Sequence, residues 1–233
     1  VLGQFATGVA HEVRNPLATM KTTVQALVRK EPDGERKTLL DDMGHQIDRL
    51  SRVVNDLLAY GRPGEACPQE TEIRDLFRQS SRVLTPVAEE AQVRFYTSGD
   101  SRLTIFVDPD QVLQILLNIG INAIQACQPG GTVSLRAERH QDQVEIRVTD
   151  DGSGIPKEHL LDVVQPFFTM KSKGTGLGLT ISQQLVESNN GSINIESAPQ
   201  EGTIITLKFP ATKSETSKEE TSRNAPPDQD SDR

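Results

Sequence analysis

The chain has 233 residues, a net charge of −8 and only 4% aromatic residues, with no Trp. This length allows one large domain or two ordinary ones, and the acidic balance excludes a typical nucleic-acid-binding protein, whose surface is basic. Two cysteines are too few for a disulfide framework and favour a reducing compartment. The sequence has no signal peptide and no apolar run of about 18 residues. Because it opens at Val1 rather than Met, and directly on a helical pattern, we expect a fragment of a longer protein. The cysteine usage favours the cytoplasm, and the parent protein could still carry a membrane anchor.

Residues 1–62 are predicted to form an all-α helical hairpin. Apolar residues recur at steps of three and four from Leu2 to Leu27 and from Leu40 to Leu57, which is the spacing of a coiled-coil seam. Turn-forming residues at 31–34 separate the two halves. A lone hairpin cannot cover its own apolar stripe, so we expect two copies to form a homodimeric four-helix bundle.

Residues 72–211 are predicted to form a second domain, an α+β sandwich, after a linker at residues 63–71. The predicted helices cover residues 73–92, 110–127 and 176–188, and the predicted strands cover residues 93–97, 103–107, 132–138, 143–149, 192–196 and 203–209. Several strands are hairpin neighbours, so the sheet should be mixed, with helices on one face. Residues 212–233 hold no large apolar side chain and are predicted to be a disordered tail.

One histidine of the first helix is a candidate nucleophile. At 100° per residue, His11 points away from the apolar seam and Asn15 lies one turn further on the same face. Pro16 falls inside the helical pattern and should kink the helix at this point. An exposed imidazole is largely neutral near neutral pH and keeps a nucleophilic lone pair, and the adjacent Glu12 could take its proton. An ordinary surface histidine is the alternative interpretation.

Two motifs of the second domain combine polar residues or glycines with regular structure. Asn118 and Asn122 interrupt a nearly all-apolar helix on one face. They are either core asparagines bonded to backbone or a polar stripe facing a ligand, with an amide oxygen available to Mg²⁺. Asp150 ends a strand and is followed by Gly152 and Gly154, where the backbone can approach a ligand closely. Taken alone, this second pattern is also that of a common turn.

A third motif places glycines directly before a helix. Gly174, Gly176 and Gly178 lead into the predicted helix, and Lys171 lies just before them. The N-terminal amides of a helix form an anion site. The pattern is neither a Walker loop nor a dinucleotide fingerprint, so by itself it indicates only an anion-binding loop.

Together and in this order, the motifs resemble those of two-component sensor histidine kinases. The resemblance covers roughly residues 5–209, and the Pro-Phe-Phe-Thr-x-Lys segment is most similar to the nitrogen-regulation type. The matching segments are the H-box at residues 5–17, the N-box at residues 116–123, the first glycine box at residues 150–154, the F-box and lid at residues 166–171, and the second glycine box at residues 174–179.

The resemblance implies a dimerisation and phosphotransfer hairpin followed by a Bergerat-type (GHKL) ATP-binding domain. Such a protein uses ATP and Mg²⁺ to phosphorylate itself on the histidine that corresponds to His11. It then passes the phosphoryl group to an aspartate of a response regulator. In the hairpin the resemblance implies that Glu12 assists proton removal and that Asn15 positions water when the regulator is dephosphorylated.

The resemblance also implies a set of nucleotide contacts. Asp150 would bind the adenine amino group, Asn122 would be the Mg²⁺ ligand with Asn118 in support, and Lys171 would reach phosphate from the lid. The complete set of implied nucleotide-binding residues is Asn118, Asn122, Asp150, Gly152, Gly154, Lys171, Gly174, Thr175, Gly176, Leu177 and Gly178.

Two other functions stay open beside the kinase. A GHKL-type ATPase of the chaperone or mismatch-repair kind would carry a Glu general base where Asn118 stands. An amide cannot activate water, so Asn118 favours phosphotransfer to a histidine. A non-catalytic dimeric scaffold with a relic nucleotide site is the other alternative. Gln125 stands where many members of the kinase family have a basic residue, so one phosphate contact is expected to be missing.

Overall fold

The computed structural model describes residues 2–61, 65–100, 102–171 and 174–212, apart from the side chains of residues 2–12, 14 and 52. The side chains of His11 and Glu12 therefore lie outside the described residues, and these two positions are located by their backbone alone. The predicted tail, beyond residue 212, also lies outside the described part of the chain.

The first domain is the expected helical hairpin. Helix α1 runs from Leu2 to Val28 and passes through Pro16 without interruption, and helix α2 runs from Glu35 to Gly61. An ion pair of 2.6 Å between Lys21 and Asp48 links the two helices.

The apolar seam of the hairpin divides into two stripes. Ile47 and Val54 of α2 pack against Leu17 and Val24 of α1, and these side chains form the inward-facing stripe of the described seam. Among the described seam residues, five side chains face outward and are between 45% and 54% exposed: Met20, Leu27, Met43, Leu50 and Leu57. Four of the five border an open apolar groove of about 600 Å³ between the helices. The described part of the hairpin thus leaves one apolar stripe uncovered.

The second domain alternates strands and helices as predicted. Its elements are β1 (Gln69–Glu72), α3 (Ile73–Glu90), β2 (Arg94–Gly99), β3 (Thr104–Val107), α4 (Pro109–Ala126), β4 (Thr132–His140), β5 (Gln143–Asp150), a short 3₁₀ turn (Lys157–His159), α5 (Gly178–Ser188), β6 (Ser192–Ala198) and β7 (Gly202–Pro210). The main sheet has the strand order β2-β4-β5-β7-β6. Only the β2–β4 pair is parallel within it, so the sheet is mixed.

One face of this sheet and three helices form the core. Alternate residues of β5, among them Ile146 and Val148, are buried together with alternate residues of β4 and β7, as the two-residue period of a strand requires. The same cluster contains the apolar faces of α3, α4 and α5. All three helices therefore cover one face, which confirms the predicted sandwich. Within the described residues no helix has the length and apolarity needed to cross a membrane, and both cysteines are free thiols.

A side-chain cap fixes the start of α4, the helix that carries both candidate asparagines. The Asp108 carboxylate accepts hydrogen bonds from the backbone N–H groups of Asp110 and Gln111, which are among the unpaired donors of a helix start. Its other oxygen accepts from the N–H of Cys67 at 2.9 Å. The same side chain thus ties the chain just before β1 to the base of α4.

Two of the differences from the predicted element boundaries have a clear physical reason. Strand β1 is polar and had no strand signal, but it pairs antiparallel with β3, so residues 69–71 of the predicted linker belong to a two-stranded sheet. Helix α5 begins at Gly178 rather than at residue 176. The reason is that Gly176 has a φ of 69°, which lies in the left-handed region and does not fit a right-handed helix.

Candidate functional site

Asp150 provides a buried carboxylate at one side of the candidate site. It ends β5, is 7% exposed, and accepts a hydrogen bond from the N–H of Gly152 at 2.9 Å. Burial raises the pKa of this carboxyl and the charge of Asp151 adds to the rise, while the backbone N–H groups of Gly152 and Thr203 oppose it. A carboxylate in such a place is a strong acceptor for an amino group of a ligand.

The glycines after Asp150 are required by the protein's own packing. A Cβ on Gly154, whose φ is 66°, would overlap the carbonyl oxygen of Ala198, and a Cβ on Gly152 would lie 2.7 Å from the carbonyl group of Ala126. We expected these glycines to let backbone approach a ligand, but the atoms in the way belong to the chain itself. They shape the loop that follows β5.

The two asparagines of α4 have different surroundings. Asn118 is half-buried and its amide nitrogen lies 3.5 Å from the carbonyl oxygen of Gly178 at the start of α5. Asn122 is exposed, and its amide oxygen accepts a hydrogen bond of 2.9 Å from the ammonium of Lys171. The backbone-bonded interpretation therefore fits Asn118, whereas Asn122 faces the site and contacts a cation.

Lys171 reaches into the site from the segment before α5. Its side chain is exposed as a whole, but its ammonium also donates to the amide oxygen of Gln125 at 3.0 Å. Partial burial of this ammonium lowers the pKa of Lys171, and the charge of Asp150 opposes that shift. One positive charge thus stands among two amide oxygens and, further away, a buried carboxylate.

The glycine-rich segment wraps the end of the site at α5. Gly176 approaches the backbone of Phe167 so closely that a Cβ would overlap it, and Gly174 is packed in the same way against the Thr169 side chain. Leu177 anchors the segment because it is 1% exposed in the core. Gly178 differs from the other two glycines. A Cβ there would meet nothing nearer than the Asn122 amide nitrogen, at 3.9 Å, so its open side is the site itself.

The same segment touches the helical hairpin. The hydroxyl of Thr175 donates a hydrogen bond of 2.9 Å to the carboxylate of Asp56 on α2. Nearby, the Tyr60 ring of α2 meets the Phe167 ring edge to face, with centroids 6.5 Å apart. Phe167 is 62% exposed and packs against Tyr60 rather than into the core of the second domain. The sequence patterns gave no sign of either contact.

The contact with α2 lies at the height of His11 on the hairpin. The Lys21–Asp48 ion pair sets the two antiparallel helices level at that point. At 1.5 Å per residue, Asp56 lies about 12 Å beyond Asp48 on α2, and His11 lies about 15 Å beyond Lys21 on α1. Both distances run away from the turn that joins the two helices. The glycine-rich segment therefore meets the hairpin within a few ångströms of the level of His11. Asn15, one turn nearer the middle of the hairpin, is exposed.

The available protein oxygens suit a metal ion of which most ligands are water molecules and substrate oxygens. In the described residues no group of three or more His, Cys, Asp or Glu side chains could enclose a metal ion. The amide oxygen of Asn122 already contacts the ammonium of Lys171, so its position suits a positive charge. One amide oxygen together with phosphate oxygens is a donor set that Mg²⁺ accepts.

Two protein families match the two domains. Residues 1–66 match the family described as "His Kinase A (phospho-acceptor) domain". Residues 107–213 match the family described as "Histidine kinase-, DNA gyrase B-, and HSP90-like ATPase".

Among the curated relatives, "Sensor histidine kinase ZraS" of Salmonella typhimurium is 38% identical over 213 residues, which are 90% of this chain and 46% of the relative. "Signal transduction histidine-protein kinase AtoS" of Escherichia coli is 34% identical over 211 residues, 90% of this chain and 35% of the relative. The chain thus spans less than half of the length of these relatives.

Solved structures show the same architecture. Full-length ShkA in complex with AMPPNP superposes with a TM-score of 0.79 at 24% identity, over 92% of this chain and 47% of that chain; at this identity it supports the fold alone. The catalytic domain of histidine kinase ThkA has a TM-score of 0.57 at 26% identity, over 62% of this chain and 95% of that chain.

Proposed function

The chain belongs to the sensor histidine kinases, and we propose that it transfers the γ-phosphoryl group of ATP to His11 and from there to an aspartate of a response regulator. The hydrogen bond between Thr175 and Asp56 carries this proposal. It sets the glycine-rich segment against the hairpin at the level of His11, which a phosphoryl transfer to that residue needs and a plain ATPase does not.

Asp150 and Lys171 are the proposed ends of the nucleotide site. Asp150 would accept a hydrogen bond from the adenine amino group, since its buried carboxylate can select an amino group over a carbonyl oxygen. Lys171 would donate to a phosphate oxygen, and the free N–H groups at the start of α5, beside Gly178, would bind another. Asn118 would hold α5 against α4 and so keep these amides in position.

Asn122 would hold the Mg²⁺ ion that accompanies ATP, because its amide oxygen is a hard ligand that already faces a positive charge. The ion supplies charge neutralisation for the phosphates when it is bound. In phosphoryl transfer the protein contributes mainly position and charge, and this is what the amides, Lys171 and Asn122 provide.

The proposed transfer needs only ATP, the hairpin and the response regulator as reactants. A ring nitrogen of His11 forms a bond to the γ-phosphorus, the bond to the β–γ bridging oxygen breaks, and ADP leaves with that electron pair. Glu12 takes the imidazole proton. The N–P bond then breaks as a carboxylate oxygen of the regulator attacks phosphorus. When the regulator is dephosphorylated, the exposed Asn15 would position the water that hydrolyses its phosphoaspartate. Since ATP is the donor, this reaction takes place in the cytoplasm.

A second copy of the chain is the proposed partner of the hairpin. The uncovered stripe holds side chains such as Met43 and Leu50 that are more than half exposed. They repeat at seven-residue steps, which is the pattern that a partner helix covers in a bundle. A homodimer would close the apolar groove and complete a four-helix bundle.

The test is labelling of the complete chain with γ-labelled ATP and Mg²⁺. We expect acid-labile label on the protein, and none on the His11→Gln variant, because glutamine has no nucleophilic ring nitrogen. His45→Gln, which changes an exposed histidine of α2, is the matched control and should keep the label. Acid-labile label on His11→Gln would contradict the proposal. Steady phosphate release with no phosphoprotein would instead identify the chaperone-like ATPase.

A further inference from the structure

Two amide oxygens of α4 share one ammonium. Lys171 donates to the amide oxygen of Asn122 at 2.9 Å and to that of Gln125 at 3.0 Å. These acceptors are three residues apart on a helix and so lie on one face. An ammonium has three N–H donors, so a third remains for an oxygen of a ligand.

The two acceptors differ once a metal ion is considered. In the proposed function Asn122 would offer its amide oxygen to Mg²⁺. An ammonium and a divalent cation repel each other strongly at about 4 Å, so Asn122 cannot serve both well. Gln125 lies almost one turn further along α4 and is not needed by the metal ion. It is therefore the acceptor that Lys171 can keep.

We propose that Gln125 is a positioning residue that holds the Lys171 ammonium beside the γ-phosphate while Asn122 serves the metal ion; this inference rests on the proposed function. Lys171 is otherwise exposed, and a long lysine side chain loses considerable rotamer entropy when it is held in one place. A fixed acceptor within hydrogen-bond distance reduces the number of places that the ammonium visits. Gln125, a neutral residue of α4, thus holds the positive charge of Lys171 in the site.

The test compares the affinity for Mg·ATP with the affinity for Mg·ADP, measured by titration calorimetry on the complete chain. The ratio of the two affinities reports what the chain does for the γ-phosphate. Gln125→Met keeps the side-chain length and removes the acceptor. We expect it to lower the ratio about fivefold, equivalent to about 1 kcal/mol, which is typical of one hydrogen bond. The affinity for Mg·ADP and the thermal midpoint of unfolding should stay unchanged.

Lys171→Met and the double variant complete the test. Lys171→Met should lower the ratio at least as far as Gln125→Met does, and adding Gln125→Met to it should have no further effect, because Gln125 acts through Lys171. Gln114→Met changes an exposed glutamine three turns earlier on α4 and is the matched control, with the ratio of the unaltered chain.

Two results would overturn the inference. One is an unchanged ratio in Gln125→Met while Lys171→Met lowers it. The other is a double variant in which the two effects multiply, because Gln125 would then act independently of Lys171. Failure of the unaltered chain to bind either nucleotide would refute the proposed function itself, so the two failures are distinguishable.

Discussion

Replacement of Asp150 by Asn tests the proposed adenine contact with almost no change in shape. The side chain is 7% exposed, and one of its oxygens accepts from the N–H of Gly152 at 2.9 Å. An amide oxygen can keep that bond, so the loop should stay in place. The amide nitrogen then takes the position of the second oxygen, where it presents a donor to the amino group of adenine, which is also a donor.

The expected loss follows from the charge of the lost acceptor. A hydrogen bond to a charged group contributes about 1.5–3 kcal/mol, so ATP should bind about 10- to 150-fold more weakly. Stability should not fall with it: burial raises the pKa of Asp150, which means that the charged form is disfavoured in the folded chain. For the same reason the unaltered chain should lose ATP affinity on acidification at a pH above 3.8, the ordinary value for aspartate.

The assay is nucleotide titration of both proteins with ATP and with GTP, accompanied by thermal unfolding without nucleotide. Guanine carries a carbonyl oxygen where adenine carries its amino group. The Asn side chain can donate to that oxygen, so the preference for ATP over GTP should shrink. Asp151→Asn removes an adjacent charge whose exposed carboxylate accepts from the N–H of Thr132 at 2.8 Å, and it should leave the preference intact. An Asp150→Asn protein with unchanged affinity and unchanged preference would refute the reasoning.

The other predictions concern the glycines and the outer face of the sheet. Gly178→Ala should keep or raise the thermal midpoint of unfolding, because a Cβ there meets no atom nearer than 3.9 Å and alanine favours a helix over glycine by about 1 kcal/mol. The same variant should weaken ATP binding. Gly154→Ala should lower the thermal midpoint of unfolding, since its Cβ overlaps backbone at a positive φ. Equal effects of the two variants on unfolding would contradict this contrast. Burial alone would raise the pKa of Glu145, but hydrogen bonds from Lys208 and Arg147 outweigh it and hold the pKa below its ordinary value. Glu145→Gln should therefore cost about 1 kcal/mol at neutral pH, and denaturant titrations should show this difference disappearing as the pH falls below 4.5; a difference that persists in acid would argue against the ionic origin.

The sequence predicts the hairpin and the sandwich because each depends on a local period. Steps of three and four residues indicated the helices, and the strand patterns indicated six of the seven strands within a residue or two of their ends. Strand β1 has no such signal, since its residues Gln69–Glu72 are polar and its hydrogen bonds come from pairing with β3. The period also could not separate the half of the seam that faces α1 from the half that stays exposed. That division depends on the packing angle of the two helices.

The contacts within the candidate site could not be predicted from the sequence. Asn122 and Lys171 were singled out by type and position, but the hydrogen bond that joins them crosses 49 residues of chain. The bond from Thr175 to Asp56 crosses 119 residues and joins two domains. Gln125 was expected only to lack a charge. Its role as an acceptor depends on where Lys171 ends, and this is a property of the folded chain.

The hydrogen bond from Cys67 to Asp108 also limits how far the two domains can separate. Helix α2 ends at Gly61, and Cys67 is already attached to the base of α4. At about 3.3–3.6 Å per residue, the chain between them spans at most about 20 Å. The second domain is thus connected to the end of α2 by a short linker. While this hydrogen bond holds, the base of α4 can lie no further than this from the end of α2, whichever way the second domain turns.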